Sequence, residues 1–138
     1  LKNLNLISNG IESNHKLTII LNPHCKYCAN HIKLLSKFID INVNILLISN
    51  NDKASYEIAY KLISFAQSNN WSSTIECLNK WYVDKEIPTV EITDEAKECF
   101  QKNINFCARN KIQRTPLVLI NDKVLPDIYT IEDIQYML

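Results

Sequence analysis

Apolar residues fall along the chain in two rhythms, unbroken short runs and longer stretches with an apolar position every three or four residues. Leu17-Thr18-Ile19-Ile20-Leu21 is a compact β-branched run that stops at Asn22-Pro23, which predicts a buried strand. Ile32, Leu35, Phe38 and Ile39 then recur at helical spacing, predicting a helix that begins at or near Cys25. Val43-Asn44-Ile45-Leu46-Leu47-Ile48 is a second buried strand. Strand, helix and strand within about 35 residues make a βαβ unit, with parallel strands and a right-handed crossover. The first fifteen residues are polar and irregular, with room for a short strand at Leu4–Ile7.

The middle of the chain reads as three helices. Ala54, Ile58, Leu62 and Phe65 or Ala66 mark one face of the first. Ser73-Thr74-Ile75-Glu76 has the capping-box pattern and predicts the start of the second, which carries Leu78, Trp81 and Tyr82. After Pro88, Thr93-Asp94-Glu95 starts the third, with Ala96, Phe100, Ile104 and Cys107 on one side. Trp71 and Trp81 sit in aromatic stripes of the kind that usually build core. The end of the chain returns to sheet. Pro116-Leu117-Val118-Leu119-Ile120 predicts a strand, Asn121-Asp122 supplies the positive-φ residues of a tight turn, and Lys123-Val124-Leu125 is its antiparallel partner. Thr130-Ile131-Glu132-Asp133 caps a last helix running through Leu138.

Composition narrows the possibilities. At 138 residues and 46% hydrophobic, the chain suits one domain spanning 1–138 and is not disordered. Fifteen basic residues balance fifteen acidic ones, and no basic run stands out, so nucleic acid is not an expected partner. No apolar stretch approaches the roughly 20 residues of a membrane span. Gly10 is the only glycine, which excludes glycine-rich phosphate loops. The chain opens on Leu1 without a visible signal peptide, and is expected to be a fragment of a longer protein.

The chemistry lies in the cysteines. Of five, only Cys25 and Cys28 are close in sequence, as Cys25-Lys26-Tyr27-Cys28. Cys77, Cys99 and Cys107 fall on predicted helices, where a buried cysteine acts as a small hydrophobe. The alternative for Cys99 and Cys107 is a second redox pair, but eight residues put them about 12 Å apart along one straight helix, too far for a bridge. The CxxC follows a strand and opens a helix. Free N–H groups at a helix start favour an anion, and His24 and Lys26 add positive charge. A Cys25 thiolate would be that anion, with a pKa lowered from about 8.5 toward a range of roughly 3.5 to 7.5. Cys28, one turn deeper, stays a thiol until needed. Cys25 therefore exchanges with a substrate sulfur, and Cys28 resolves the mixed disulfide. Thr115-Pro116 precedes the third strand. Spacing alone leaves open whether Pro116 is simple punctuation or a cis-proline turn.

Together these features resemble the thioredoxin fold, a mixed central sheet flanked by helices. A three-helix insertion at about 52–110, between the βαβ and ββα halves, resembles the DsbA-like oxidoreductases of the bacterial cell envelope. Asn22-Pro23-His24-Cys25-Lys26-Tyr27-Cys28-Ala29, Lys80-Trp81-Tyr82, Cys107 before Pro116, and Leu125-Pro126-Asp127-Ile128-Tyr129-Thr130-Ile131-Glu132-Asp133 look like thioredoxin-like domains fused to vitamin K epoxide reductase-type membrane proteins. The resemblance implies a protein thiol–disulfide oxidoreductase needing no cofactor, with Cys25 as nucleophile, Cys28 as resolving cysteine and Pro116 as cis-proline. It implies that Thr115 offers its backbone to an extended substrate peptide, with His24, Lys26 and Tyr27 as further substrate contacts. Cysteine-containing proteins would be the substrates, a membrane-embedded vitamin K epoxide reductase-like domain the redox partner, and the cell envelope the location. The sequence departs from many relatives where Ile19 replaces a buried acid six positions before the first cysteine. Lys26-Tyr27 gives no direction of electron flow. The alternative reading is a binding module, or a zinc-binding domain built on His24, Cys25, Cys28 and His31, without redox turnover. No second CxxC or HxxxH is present to complete a zinc site, so no metal is expected.

Overall fold

The computed structural model describes residues 4–126 and 129–137; Asp127 and Ile128 of the C-terminal motif, and the Leu138 end of the last helix, lie outside the described residues. Its elements in chain order are β1 (Ile7–Ser8), β2 (Lys16–Leu21), α1 (Cys28–Leu35), β3 (Asn42–Leu47), α2 (Lys53–Ser68), α3 (Trp71–Asp84), α4 (Asp94–Arg109), β4 (Leu117–Ile120), β5 (Lys123–Val124), a 3-10 turn (Ile131–Asp133) and α5 (Ile134–Met137). The sheet order is β1-β3-β2-β4-β5. The strands β2 and β3 pair in parallel, Ile19 opposite Ile45, as a βαβ crossover requires. The other three pairings are antiparallel.

Alternation along the central strands sorts their side chains to two faces. Leu17, Ile19 and Leu21 of β2 and Val43, Ile45 and Leu47 of β3 join the larger core with Ile32, Leu35, Leu62, Leu78, Trp81 and Phe100. Ile20, Leu46, Leu117 and Leu119 face the other way, into a smaller cluster closed by Cys107. The three helices α2 to α4 lie between β3 and β4 in the chain, where the insertion was expected. The helix α2 packs on α3 and α4, and α3 packs on α1. That last contact brings the insertion to the CxxC.

Local chemistry accounts for the boundaries. Thr93 caps α4 as expected, its hydroxyl accepting from the Ala96 N–H at 3.0 Å. Asn121 and Asp122 take φ of 49° and 68° in the β4–β5 turn. A full capping box joins Thr130 and Asp133. Elsewhere the sequence reading is corrected. The helix α3 starts at Trp71, not Ser73, because Asn70 is the stronger cap and its side-chain oxygen takes the Ser73 N–H at 2.8 Å. On α2 the buried face is Ser55, Ala59, Leu62, Ile63 and Ser64. It is turned one residue from the expected Ala54–Ile58 stripe. Buried serines are tolerated there because their hydroxyls are bonded, that of Ser55 donating to the Asp52 carboxylate and that of Ser64 accepting the Thr93 N–H. The strand expected at Leu4–Ile7 is the two-residue β1. The helix α1 begins at Cys28 and ends at Leu35, leaving Phe38 half-buried and Ile39 71% exposed beyond it. Its ends tighten into three-residue turns, Cys28 N–H to Cys25 C=O at 3.2 Å and Phe38 N–H to Leu35 C=O at 3.2 Å.

Candidate active site

Cys25 stands in the turn between β2 and α1, half-buried, while Cys28 opens α1 and is fully buried. Both are free thiols, as are Cys77, Cys99 and Cys107, each buried in a helix. The Cys25 sulfur lies 3.4 Å from the Thr115 carbonyl oxygen, to which its thiol donates. Ninety residues separate these groups in sequence. Antiparallel pairing of β4 with β2 brings them together. The Thr115–Pro116 peptide bond is cis, the turn that the sequence left undecided.

Partial burial pushes the Cys25 pKa up, but hydrogen bonds to its sulfur outweigh that and hold it below its ordinary value. The donors are the Cys28 thiol, the Thr115 hydroxyl and the N–H groups of Cys28 and Tyr27. The expected charge assistance from Lys26 and His24 is not what does this. The Lys26 ammonium lies 5.2 Å from the Tyr27 ring centre, over a tyrosine that is 65% exposed. His24 is exposed, with its ring edge-on to Trp81 at 5.9 Å. Burial pushes Cys28 the opposite way, up to about 12, and a charged Cys25 beside it adds to the effect. The two sulfurs thus differ in the sense that a nucleophile and a reserve thiol require. Thr115→Val keeps the shape and removes one donor. The pH midpoint of Cys25 alkylation by iodoacetamide is expected to rise in this variant relative to wild type. An unmoved midpoint would remove Thr115 from the set.

The turn that carries Cys25 is held by groups that sequence reasoning did not assign to the site. The Asn22 carbonyl accepts both the Cys25 N–H at 3.0 Å and the Tyr82 hydroxyl at 2.9 Å. The Asn22 side chain accepts the His24 N–H and donates to Asn50. The indole N–H of Trp81 donates to the Pro23 carbonyl at 2.7 Å. Trp81 is core by burial, as expected, yet its polar edge clamps the turn before Cys25 from α3. The available signal was general: buried Trp and Tyr carry a polar handle that must find a partner.

His31, half-buried, lines a cleft of about 370 Å³ with Pro116, Leu125, Tyr129 and Glu132. Burial makes its imidazole less basic than usual. Among the described residues no group of three or more His, Cys, Asp or Glu side chains is placed to hold a metal ion. His24, Cys25, Cys28 and His31 therefore do not assemble into the alternative zinc site. Ile19, in the position of the missing acid, is fully buried in the larger core.

No family model matches the chain, and no curated protein matches it either. Solved structures do. A linker-deleted form of ScsC from Proteus mirabilis superposes with a TM-score of 0.76 at 16% identity, over 96% of this chain and 72% of that one. A periplasmic thioredoxin-like protein from Salmonella enterica serovar Typhimurium gives 0.63 at 15% identity, over 95% and 86%. A disulfide interchange protein from Neisseria gonorrhoeae gives 0.62 at 14% identity, over 96% and 94%. With the sheet order and the cis Thr115–Pro116 turn, these likenesses establish a thioredoxin fold bearing a helical insertion.

Proposed function

We propose that this thioredoxin-fold chain is a thiol–disulfide oxidoreductase acting on cysteine side chains of protein partners. Cys25 is the exchanging sulfur and Cys28 the resolving one. The observation that carries the reading is the asymmetry of the pair. A half-exposed sulfur with a lowered pKa stands directly before a fully buried one whose pKa is pushed up to about 12, and the Thr115 carbonyl accepts from the first at 3.4 Å. A binding module would gain nothing from that arrangement.

In the reaction, the Cys25 thiolate attacks a substrate disulfide. One S–S bond forms, one breaks, and a substrate sulfur leaves as thiolate. Cys28 then attacks Cys25, freeing the second substrate sulfur and leaving Cys25–Cys28 oxidised by two electrons. Oxidation of a substrate is the reverse sequence. The Thr115 backbone, at the cis-proline turn beside Cys25, provides an edge for an extended peptide. His24, Lys26 and Tyr27 flank the same sulfur, exposed to an arriving chain. The domain is read as spanning 1–138. A cell-envelope location is supported by the periplasmic neighbour from Salmonella enterica. A membrane-embedded domain of vitamin K epoxide reductase type is the redox partner that the Lys80-Trp81-Tyr82 and CxxC motifs support. No described helix is long and apolar enough to cross a membrane.

The test is catalysed exchange between glutathione and a reporter peptide disulfide, with the Cys25–Cys28 couple equilibrated against glutathione. Turnover above the uncatalysed rate and a potential between about −270 and −120 mV are expected. Failure to form a Cys25–Cys28 disulfide under an oxidised glutathione buffer would end the proposal.

A further inference from the structure

We propose that the free edge of β1 is a peptide-docking site, taking an extended segment of a partner protein that carries a lysine or arginine. The site stands apart from the CxxC and does not depend on the exchange reading. A cleft of about 760 Å³ opens along β1, between that strand, the last turn of α2, the start of α3 and the segment entering α4. Among the described residues, none from the Cys25 turn, from α1 or from the cis-proline turn lines it.

The backbone of β1 selects an extended occupant. β1 is the outermost strand and pairs with β3 alone. Ile7 stands opposite Ile45 and Ser8 opposite Asn44, and the Asn9 N–H donates to the Val43 carbonyl at 3.0 Å. Bonded and unbonded residues alternate in an antiparallel pair, so Ile7 and Asn9 commit their backbone groups to β3. The N–H and C=O of Ser8 therefore point the other way. An edge of this kind accepts a further strand. Leu6, Ile7 and Ser8 line the cleft, so the edge opens into it.

The walls of the cleft select a basic side chain on that occupant. Glu91 and Glu95 line it, and no lysine, arginine or histidine among the described residues does. Neither carboxylate forms an ion pair among the described residues. Glu95 lies in the first turn of α4 and serves that helix start, whereas Glu91 lies outside any helix. The last turn of α2 adds the negative end of a helix dipole and holds no basic side chain of its own. Trp71 packs against the core, is only half-buried, and lines the same cleft. Its ring is a platform for the stem and charge of a lysine or arginine. A second copy of this chain is a poor occupant, because β1 against β1 would bring two acidic clefts together.

The probe is a cysteine-free, end-blocked peptide of about eight residues, alternating threonine and valine around one central lysine. Its comparison is the same peptide with glutamate in place of that lysine. Fluorescence anisotropy with the full chain is expected to show the lysine peptide binding roughly tenfold more tightly, a margin that narrows as salt is added. In an NMR titration the amide signals of residues 6–8 and 90–93 should move, and those of residues 23–28 should stay still. Glu91 is exposed, so Glu91→Lys leaves the fold intact and should invert the preference between the two peptides. Ser8→Pro deletes an N–H that makes no bond to β3, and should weaken both peptides by roughly threefold to tenfold. Binding of neither peptide at millimolar concentration would overturn the proposal. So would an unchanged preference in Glu91→Lys, or signal changes confined to the Cys25 turn. Dimerisation of the peptide-free chain with shifts at residues 6–8 would also overturn it, by giving the edge to a second copy. Thiol–disulfide exchange should be the same in Glu91→Lys as in wild type, so absence of exchange bears on the CxxC reading and not on this site.

Discussion

Cys25→Ser is expected to reduce exchange with protein disulfides to the uncatalysed rate, a loss of at least about a thousandfold. Cys28→Ala is expected to stall the chain as a covalent complex with its partner. The two outcomes differ because the proposed mechanism gives the sulfurs different work. A serine hydroxyl at position 25 would receive the same hydrogen bonds but is far too weak an acid to be ionised by them. No other thiol can substitute, since Cys28 in α1 and Cys77, Cys99 and Cys107 in α3 and α4 are all buried with raised pKa values. Alanine at position 28 leaves the Thr115 hydroxyl and two backbone N–H groups on Cys25, although it loses the Cys28 thiol as a donor. Attack still occurs, with a somewhat higher pH midpoint. The mixed disulfide then has no neighbouring thiol to cleave it, and mass spectrometry of the non-reduced product should show one partner per chain, attached through Cys25. Turnover by Cys25→Ser at the wild-type rate would refute the assignment, as would a Cys28→Ala chain that releases its partner normally.

The placement of that pair was legible in the sequence because strand, CxxC and helix lie within one short segment. The β-branched runs of β2 and β3, the Thr93 cap and the Asn121-Asp122 turn were legible for the same reason. Errors came where two local signals competed. Ser73-Thr74-Ile75-Glu76 fits a capping box, but Asn70 three residues earlier caps the helix in fact. The face of α2 slipped by one residue because Ser55 and Ser64 occupy core positions that a polarity count assigns to solvent. The clamp on the Cys25 turn was beyond local reading altogether. Trp81 and Tyr82 reach carbonyl groups 58 and 60 residues away, and only the packing of α3 on α1 creates those contacts. Similarly, the donors that lower the Cys25 pKa were expected to be charges next to it in sequence. One of them comes instead from Thr115, carried in by a sheet partner.

The buried thiols have a further consequence, a steep loss of stability of the reduced chain at alkaline pH. Burial raises Cys28 from an ordinary value of 9.0 to about 12, and Cys77 and Cys107 to about 11. Cys99 is raised as well. An acid whose folded pKa is raised holds its proton in the folded state where the unfolded chain has released it. The stabilisation from keeping these thiols neutral is therefore whole below pH 9 and is lost as pH climbs from there toward the folded values. Each such group contributes a slope of about 1.4 kcal/mol per pH unit in that window, so Cys28, Cys77 and Cys107 together give roughly 4 kcal/mol per unit. Two units would consume an amount comparable with the roughly 5–15 kcal/mol that holds a typical domain together. Cys25 works against the trend. Its folded pKa is lowered, so its contribution is present above the unfolded value and lost as pH falls through the folded one. Above pH 9 Cys25 is ionised in both the folded and unfolded chain, so it adds no opposing slope in that window. The melting temperature of the reduced chain is expected to hold steady from pH 7 to about 8.5, then fall steeply toward pH 10.5. Cys77→Ala and Cys107→Ala should each flatten the decline, by about a third of the slope set by the three strongest shifts. Forming the Cys25–Cys28 disulfide should flatten it too, since it removes the most strongly raised thiol. A melting temperature level across that range in the reduced wild-type chain would mean that these sulfurs are better solvated than their burial implies.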